Sequence, residues 1–243
     1  MIKYRRVLIK ISGEALAGKK GWGIDPAVLK SVADEIVSAK KTGACVSVVV
    51  GGGNFWRGRE ERIAGLDRGT SDYIGMLATV INACVLRDEI SRIYPRVVVQ
   101  SAIEVKELCD PIRKREAMDA LSRNAIVIFA GGTGSPYFTT DTAAALRAAE
   151  VSAGCLIKAT KVDGVYTDDP VKNRKARKFD RLASMEAIKR NLKIMDISAF
   201  SLCMENGIDI IVCSLKKGNL VKAIRGKKTG TLIVNRVSAS AGH

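Results

Sequence analysis

Histidine is all but missing from this chain: among 243 residues there is one, His243, the last. With the one imidazole at a chain end, where residues are usually mobile, Ser-His-Asp triads, Cys-His dyads and His-ligated metal centres are not expected. Any chemistry must run on lysine, arginine, aspartate, hydroxyls, backbone amides and a hard metal ion. Aromatic residues make up only 5% of the chain, too few for the stacking platforms of single-strand nucleic-acid binders. No uninterrupted apolar run approaches the ~20 residues of a spanning helix. The opening Met1-Ile2-Lys3-Tyr4-Arg5-Arg6 lacks the apolar core and cleavage site of a secretory signal. A cytoplasmic protein with no membrane partner is therefore expected. The six cysteines form no Cys-x-x-Cys pair and lie mostly within apolar runs, so reduced thiols packed as small hydrophobes are expected.

What is abundant is positive charge. Forty Lys and Arg against 25 Asp and Glu give +15, which implies anionic partners such as phosphorylated metabolites or nucleic acid. No nucleic-acid-binding module is recognisable, so a nucleic-acid partner is not expected. The polar stretch Asp168 to Arg181 reads as a surface loop.

Short β-branched runs recur at 6–11, 45–50, 97–100, 126–129, 155–158, 208–213 and 232–234, with helix-like stretches between them. Several are apolar on successive residues, as strands buried on both faces should be. The fold class is therefore α/β, a three-layer α/β/α sandwich around a mainly parallel sheet. One domain over 1–243 is expected, with residues 236–243 as a disordered tail. Asp25 and Pro26 mark a helix start, with Leu29, Val32, Ala33 and Ile36 at helical spacing. The longest helical pattern runs from about Ser71 to Ile93, with Ile74, Leu77, Ile81, Cys84 and Val85 on one side. Its apolar content exceeds one stripe, which suits packing against a second subunit.

Three glycine-rich segments follow strand-like runs. The most informative is Gly131-Gly132-Thr133-Gly134-Ser135-Pro136-Tyr137-Phe138-Thr139-Thr140-Asp141-Thr142, set before an alanine-rich helix. Glycines admit close backbone approach, hydroxyls add donors, and a helix N-terminus supplies unpaired N–H groups, which together suit a phosphate. Gly51-Gly52-Gly53-Asn54-Phe55-Trp56-Arg57 ends the second run, with Arg57 placed for a phosphate contact. Lys10-Ile11-Ser12-Gly13 ends the first, where ligands of open α/β sheets bind. The segment from Gly13 to Lys20 approaches a P-loop, but Lys20 stands where a Mg²⁺-binding hydroxyl is needed and Gly21-Trp22-Gly23 where a helix should begin.

Together these motifs resemble the bacterial uridylate kinases of the amino-acid-kinase superfamily, over about Arg5 to Asn235. Lys-x-Ser-Gly-Glu and Gly-Gly-Gly-Asn-x-x-Arg-Gly are shared with relatives in that superfamily. Gly-Thr-Gly-x-Pro-Tyr/Phe-Phe-Thr-Thr-Asp is the uridylate kinase mark. The resemblance implies transfer of the γ-phosphoryl group of ATP to UMP, with Mg²⁺ carried in by ATP. It places Lys10, Ile11, Ser12, Gly13, Gly53 and Arg57 on ATP phosphates, and Thr160, Tyr166 and Asp169 on adenosine. Gly52, Asp72 and the segment Thr133, Gly134, Ser135, Pro136, Tyr137, Phe138, Thr139 and Thr140 would bind UMP. Asp141 would organise the transfer centre, with Lys10 and Arg57. The acceptor side would fall in about 1–150 and the ATP side in about 151–235. Gly18, Lys19, Lys20, Gly21, Trp22 and Gly23 match a loop linked to activation by GTP, with UTP a second effector, and a homohexamer is implied. The rival readings are a relative that phosphorylates a carboxylate or carbamate and a basic nucleic-acid-binding protein.

Overall fold

The β-branched runs become strands because both faces of each are covered. In the computed structural model, which describes residues 1–57, 63–168, 170, 172–173, 175–192 and 194–235, nine strands form one sheet. They are β1 (Arg6–Ile11), β2 (Cys45–Val50), β3 (Val97–Ser101), β4 (Asp110–Pro111), β5 (Ile126–Ala130), β6 (Cys155–Thr160), β7 (Arg181–Ala183), β8 (Asp209–Ser214) and β9 (Thr231–Val234). Their order is β4-β3-β5-β2-β1-β6-β8-β9-β7. All pairings are parallel except β8 with β9, so β9 and its parallel neighbour β7 run against the rest.

Helices cover both faces. On one side lie α2 (Pro26–Lys40), α3 (Arg68–Ser91) and α8 (Asn219–Ile224), whose Ile36, Leu86 and Ile224 share a core with Val7, Ile9 and Ile11. On the other lie α4 (Lys114–Ser122), α5 (Thr140–Glu150), α6 (Ser184–Lys189) and α7 (Ile197–Glu205), whose Leu121, Ala144 and Phe200 meet Leu8 and Val49. Alternate residues of β1 thus feed opposite cores, as the two-residue strand period requires. A one-turn α1 (Gly13–Leu16) and a 3-10 turn over Gly18–Lys20 follow β1. All six thiols are free.

Asp25 caps α2 as its sequence position predicts, its carboxylate accepting from the Ala27 and Val28 amides, with Pro26 in the first turn. The long helix differs from its sequence reading. It begins earlier, at Arg68 behind the cap Asp67, and the side facing the sheet carries Val80, Ala83, Leu86 and Ile90. Leu77 and Ile81 are 49% and 48% exposed. The helix has two apolar stripes, and spacing within one helix cannot say which of them meets the sheet. By length and composition it is apolar enough to cross a membrane, yet its inner stripe is part of the protein core.

Two edge strands carry no periodic signal. β4 spans two residues, and β7 has one buried residue, Leu182, between exposed neighbours. The segment read as loop to Arg181 therefore ends in a strand. The expected tail, 236–243, lies outside the described residues.

Candidate active site

Four neighbouring strands, β5, β2, β1 and β6, end at one edge of the sheet, and the glycine-rich segments all leave from there. Ile11 is level with Val50 on one side and Ala159 on the other. The exits pack directly on one another: a methyl group added at Gly13 would lie 2.5 Å from Asn54 Oδ1 and 2.6 Å from the Gly51 carbonyl oxygen. Glycine is needed there because two backbone segments touch. A buried amide pair fixes the contact, with Asn82 Nδ2 donating to Gly51 O (2.7 Å) and Asn54 Nδ2 donating to Asn82 Oδ1 (3.0 Å).

Beneath these exits sits a buried charge cluster. Lys10 Nζ lies 3.0 Å from Asp141 Oδ1, and Lys158 Nζ lies 2.6 Å from Asp141 Oδ2 and also donates to the Ile194 carbonyl. Lys10 thus engages one carboxylate oxygen and Lys158 the other. Burial pushes the Asp141 carboxyl up, but Lys10 and Lys158 together outweigh it and hold it below the usual carboxylate range. Burial pushes Lys158 down, and Asp141 pulls it partly back. The cluster presents two ammonium groups around one anion.

The segment Gly131 to Thr142 wraps over α3 and forms the wall of a cavity of about 650 Å³. Gly131, Gly132 and Gly134 have φ of 74°, 61° and 85°, a left-handed path that other residues adopt at a cost. The Gly131 amide donates to Thr79 Oγ1 (2.8 Å) and the Tyr137 amide to Asp72 Oδ2 (2.8 Å). Thr139 caps α5, accepting from the Asp141 and Thr142 amides, which sets the carboxylate of Asp141 on the first turn. Asp196, the cap of α7, receives the Thr139 and Thr142 hydroxyls, each at 2.5 Å.

The structure brings together most of the residues assigned to the acceptor. Gly52, Asp72, Thr133, Tyr137, Phe138, Thr139 and Thr140 line the cavity, and so does Gly53, assigned to ATP. Gly134, Ser135 and Pro136 turn the chain at its rim without lining it. Trp56 and Arg68 also line it, with Arg68 stacked on the Tyr137 ring at 4.7 Å and 3.9 Å from Asp72.

Of the residues assigned to ATP, Thr160 and Tyr166 lie at and beyond the end of β6, whereas Gly53 and Arg57 belong to the turn after β2. Ile11 is buried in β1, Ser12 precedes α1, and Thr160 ends β6 one step beyond the Ile11–Ala159 pair. Thr160 donates to the Val162 carbonyl, and Tyr166 donates to Asp163 at 2.7 Å. Arg57 donates to Gly53 O (3.1 Å) and faces Glu14 at 3.7 Å, while Lys161 faces the other Glu14 oxygen at 3.9 Å. Asp169 lies outside the described residues. The loop Gly18 to Gly23 touches this edge through the Gly23 amide, which donates to Asn54 O, and through Trp22, edge-on to Phe55. Lys19, Lys20, Gly21 and Trp22 are exposed.

Sequence reading missed Lys158, Asp196, Glu14 and Arg68 as site residues. Lys158 had a signal: a lysine within an apolar strand, like Lys10, with which it pairs across β1 and β6. Asp196 had none, because its partners lie 54 and 57 positions away in the chain.

A model described as the amino acid kinase family matches residues 5–214. Among solved structures, the chain is similar to a UMP kinase from Bacillus anthracis, with 34% identity over 96% of this chain and 97% of that one and a TM-score of 0.93. It is similar to a UMP kinase from Ureaplasma parvum at 35% identity, covering 96% and 100%, with a TM-score of 0.89. A uridylate kinase from Archaeoglobus fulgidus follows at 30% identity, covering 94% and 99%, with a TM-score of 0.71. With its strand-edge glycine turns, its buried Lys-Asp-Lys cluster and these similarities along nearly its whole length, the chain belongs to the amino acid kinase family, in its UMP kinase branch.

Proposed function

We propose that this enzyme, a nucleoside monophosphate kinase, transfers the γ-phosphoryl group of ATP to UMP, giving UDP and ADP. The observation that carries this reading is the Lys10–Asp141–Lys158 cluster set where the cavity wall meets the end of β1. The acceptor atom is a phosphate oxygen of UMP, already ionised at neutral pH, so no general base is required. That accords with a chain whose one histidine is its last residue. In the transfer, the bond from the γ-phosphorus to the β,γ-bridging oxygen breaks while a bond to the UMP oxygen forms. The charge released stays on ADP. Lys10 and Lys158 neutralise charge on the moving group, and Asp141 holds both ammonium groups in place. The Ser12 and Gly13 segment and Arg57 meet the donor phosphates, and the aromatic, hydroxyl-lined wall of Tyr137, Phe138 and Thr139 suits a pyrimidine nucleotide.

No cluster of three or more metal-ligating side chains occurs among the described residues. A Mg²⁺ ion would enter with ATP, held mainly by phosphate oxygens and waters, and would neutralise the phosphate chain. The outward apolar stripe of α3, with Leu77 and Ile81, supports assembly into a homohexamer, and the exposed Lys19 to Trp22 loop supports a GTP response. A coupled ADP-release assay with UMP, CMP and AMP, with and without GTP, tests the proposal. Turnover with UMP well above the other two is expected; none with UMP, or equal rates with all three, refutes it.

A further inference from the structure

The sheet edge opposite the transfer centre carries a second cavity, of about 800 Å³. It crosses the starts of β1, β6 and β8 and reaches β9 and the edge strand β7. Four cations line it, Lys3, Arg5, Arg6 and Arg181, against one carboxylate, Asp209. That carboxylate is already engaged, accepting from the Tyr4 hydroxyl at 2.8 Å.

Basic residues at this edge have one ready explanation. The parallel helices end here, and their C-terminal carbonyls attract positive charge. Arg6 answers to it: its Nη1 donates to the carbonyl of Val151, just past α5, at 2.8 Å. Its Nε, however, is buried without any hydrogen-bond partner. Among the described residues, Arg5 and Arg181 make no ion pair, and the Lys3 ammonium sits over the Tyr4 ring at 4.7 Å. Helix ends therefore account for two cations of the four, Arg6 beside α5 and Lys3, whose amide donates to the Ile224 carbonyl at the end of α8, and leave Arg5 and Arg181.

The spacing of the cations says what they suit. Arg6 stands on β1 and Arg181 on β7, four strand steps apart in the sheet order, or roughly 19 Å at about 4.8 Å per step. With their backbones that far apart, the four cations suit a row of phosphates better than a single one. The backbone amides of Ser152, Gly154 and Gly207 at this edge are taken up by Ala149, Arg6 and Met204 carbonyls, so a ligand would be held by side chains alone. We infer that this trench binds an oligophosphate chain, at a site separate from the transfer centre.

Calorimetric titration of the full chain with inorganic triphosphate at physiological salt tests the inference. Two classes of site are expected in the wild-type protein, and Lys10→Ala should retain the trench class. A double variant, Arg5→Ala with Arg181→Ala, should weaken that class by about tenfold or more while circular dichroism and UMP-dependent turnover stay unchanged. A single class lost in Lys10→Ala would overturn the inference, as would an affinity in the double variant close to wild type. Equal weakening by Lys172→Ala with Lys175→Ala would show a diffuse basic surface instead, and equal affinity for inorganic monophosphate would remove the case for a chain.

Discussion

The acceptor wall and the donor flank of the site are built by different means. The segment Gly131 to Thr142 is held by Thr79 and Asp72 of α3 and by Asp196 ahead of α7, partners 52 to 65 positions away. The donor flank is held mainly by its own neighbours. Tyr166 and Lys178 both bond Asp163, and Thr167 pairs with Arg177 across a short antiparallel bridge. Its longer links are two: Lys161 to Glu14, exposed and loose at 3.9 Å, a geometry that contributes little, and a buried bond from the Val165 amide to Thr231 Oγ1 at 2.8 Å. The acceptor wall is therefore tied to distant parts of the fold through its side chains, whereas the donor flank is tied mostly within itself and anchored to the core at Val165. Changes to the first should cost stability, and changes to the second should cost donor affinity alone.

The sharpest break of that comparison is Asp141→Asn, which leaves two buried ammonium groups facing a neutral amide. A loss of about 3–5 kcal/mol in unfolding free energy is expected. Because the folded carboxyl titrates below its ordinary value, its contribution is complete above the ordinary carboxylate range and is lost as pH falls through the lowered value. Urea unfolding followed against pH should therefore show a shallower acid limb in the variant; an unchanged limb would remove Asp141 from this role. Next in size is Lys10→Ala, expected to lower kcat by about 10²–10³-fold while circular dichroism stays native. Near-wild-type turnover would refute the transfer centre.

A third variant addresses the acceptor wall alone. Asp196→Ala removes the carboxylate that receives two hydroxyls and caps α7, and a loss of about 1.5–3 kcal/mol is expected, with a raised KM for UMP and an unaltered KM for ATP. Equal changes in both KM values would erase the distinction between the two sides. The smallest effect belongs to the donor flank. Tyr166→Ala should raise the KM for ATP roughly tenfold by loss of a stacking surface, without moving the melting temperature. Tyr166→Phe should restore it, since the ring rather than the exposed bond to Asp163 would do the stacking.

Much of the frame was legible in the residues. Seven of the nine strands, the Asp25 cap and the sheet edge used by Lys10 follow from patterns a few residues long. β4 and β7 were not legible because two- and three-residue edge strands have no period to detect. The site was legible in part. Glycines and hydroxyls announce a phosphate-binding edge, but the sorting of its residues between UMP and ATP came from family resemblance.

Sequence by itself determined seven of the strands, where the glycine exits fall, and that the chain holds a single imidazole, because each of these depends on composition or on neighbours in the chain. Only the tertiary structure decided that Lys158 joins Lys10 on Asp141, that Asp196 ties α5 to α7, and which stripe of α3 faces inward. Those outcomes depend on which strand lies beside which and on the surface each helix covers. Such contacts between distant segments are fixed by packing both cores at once, and a local pattern carries no record of them.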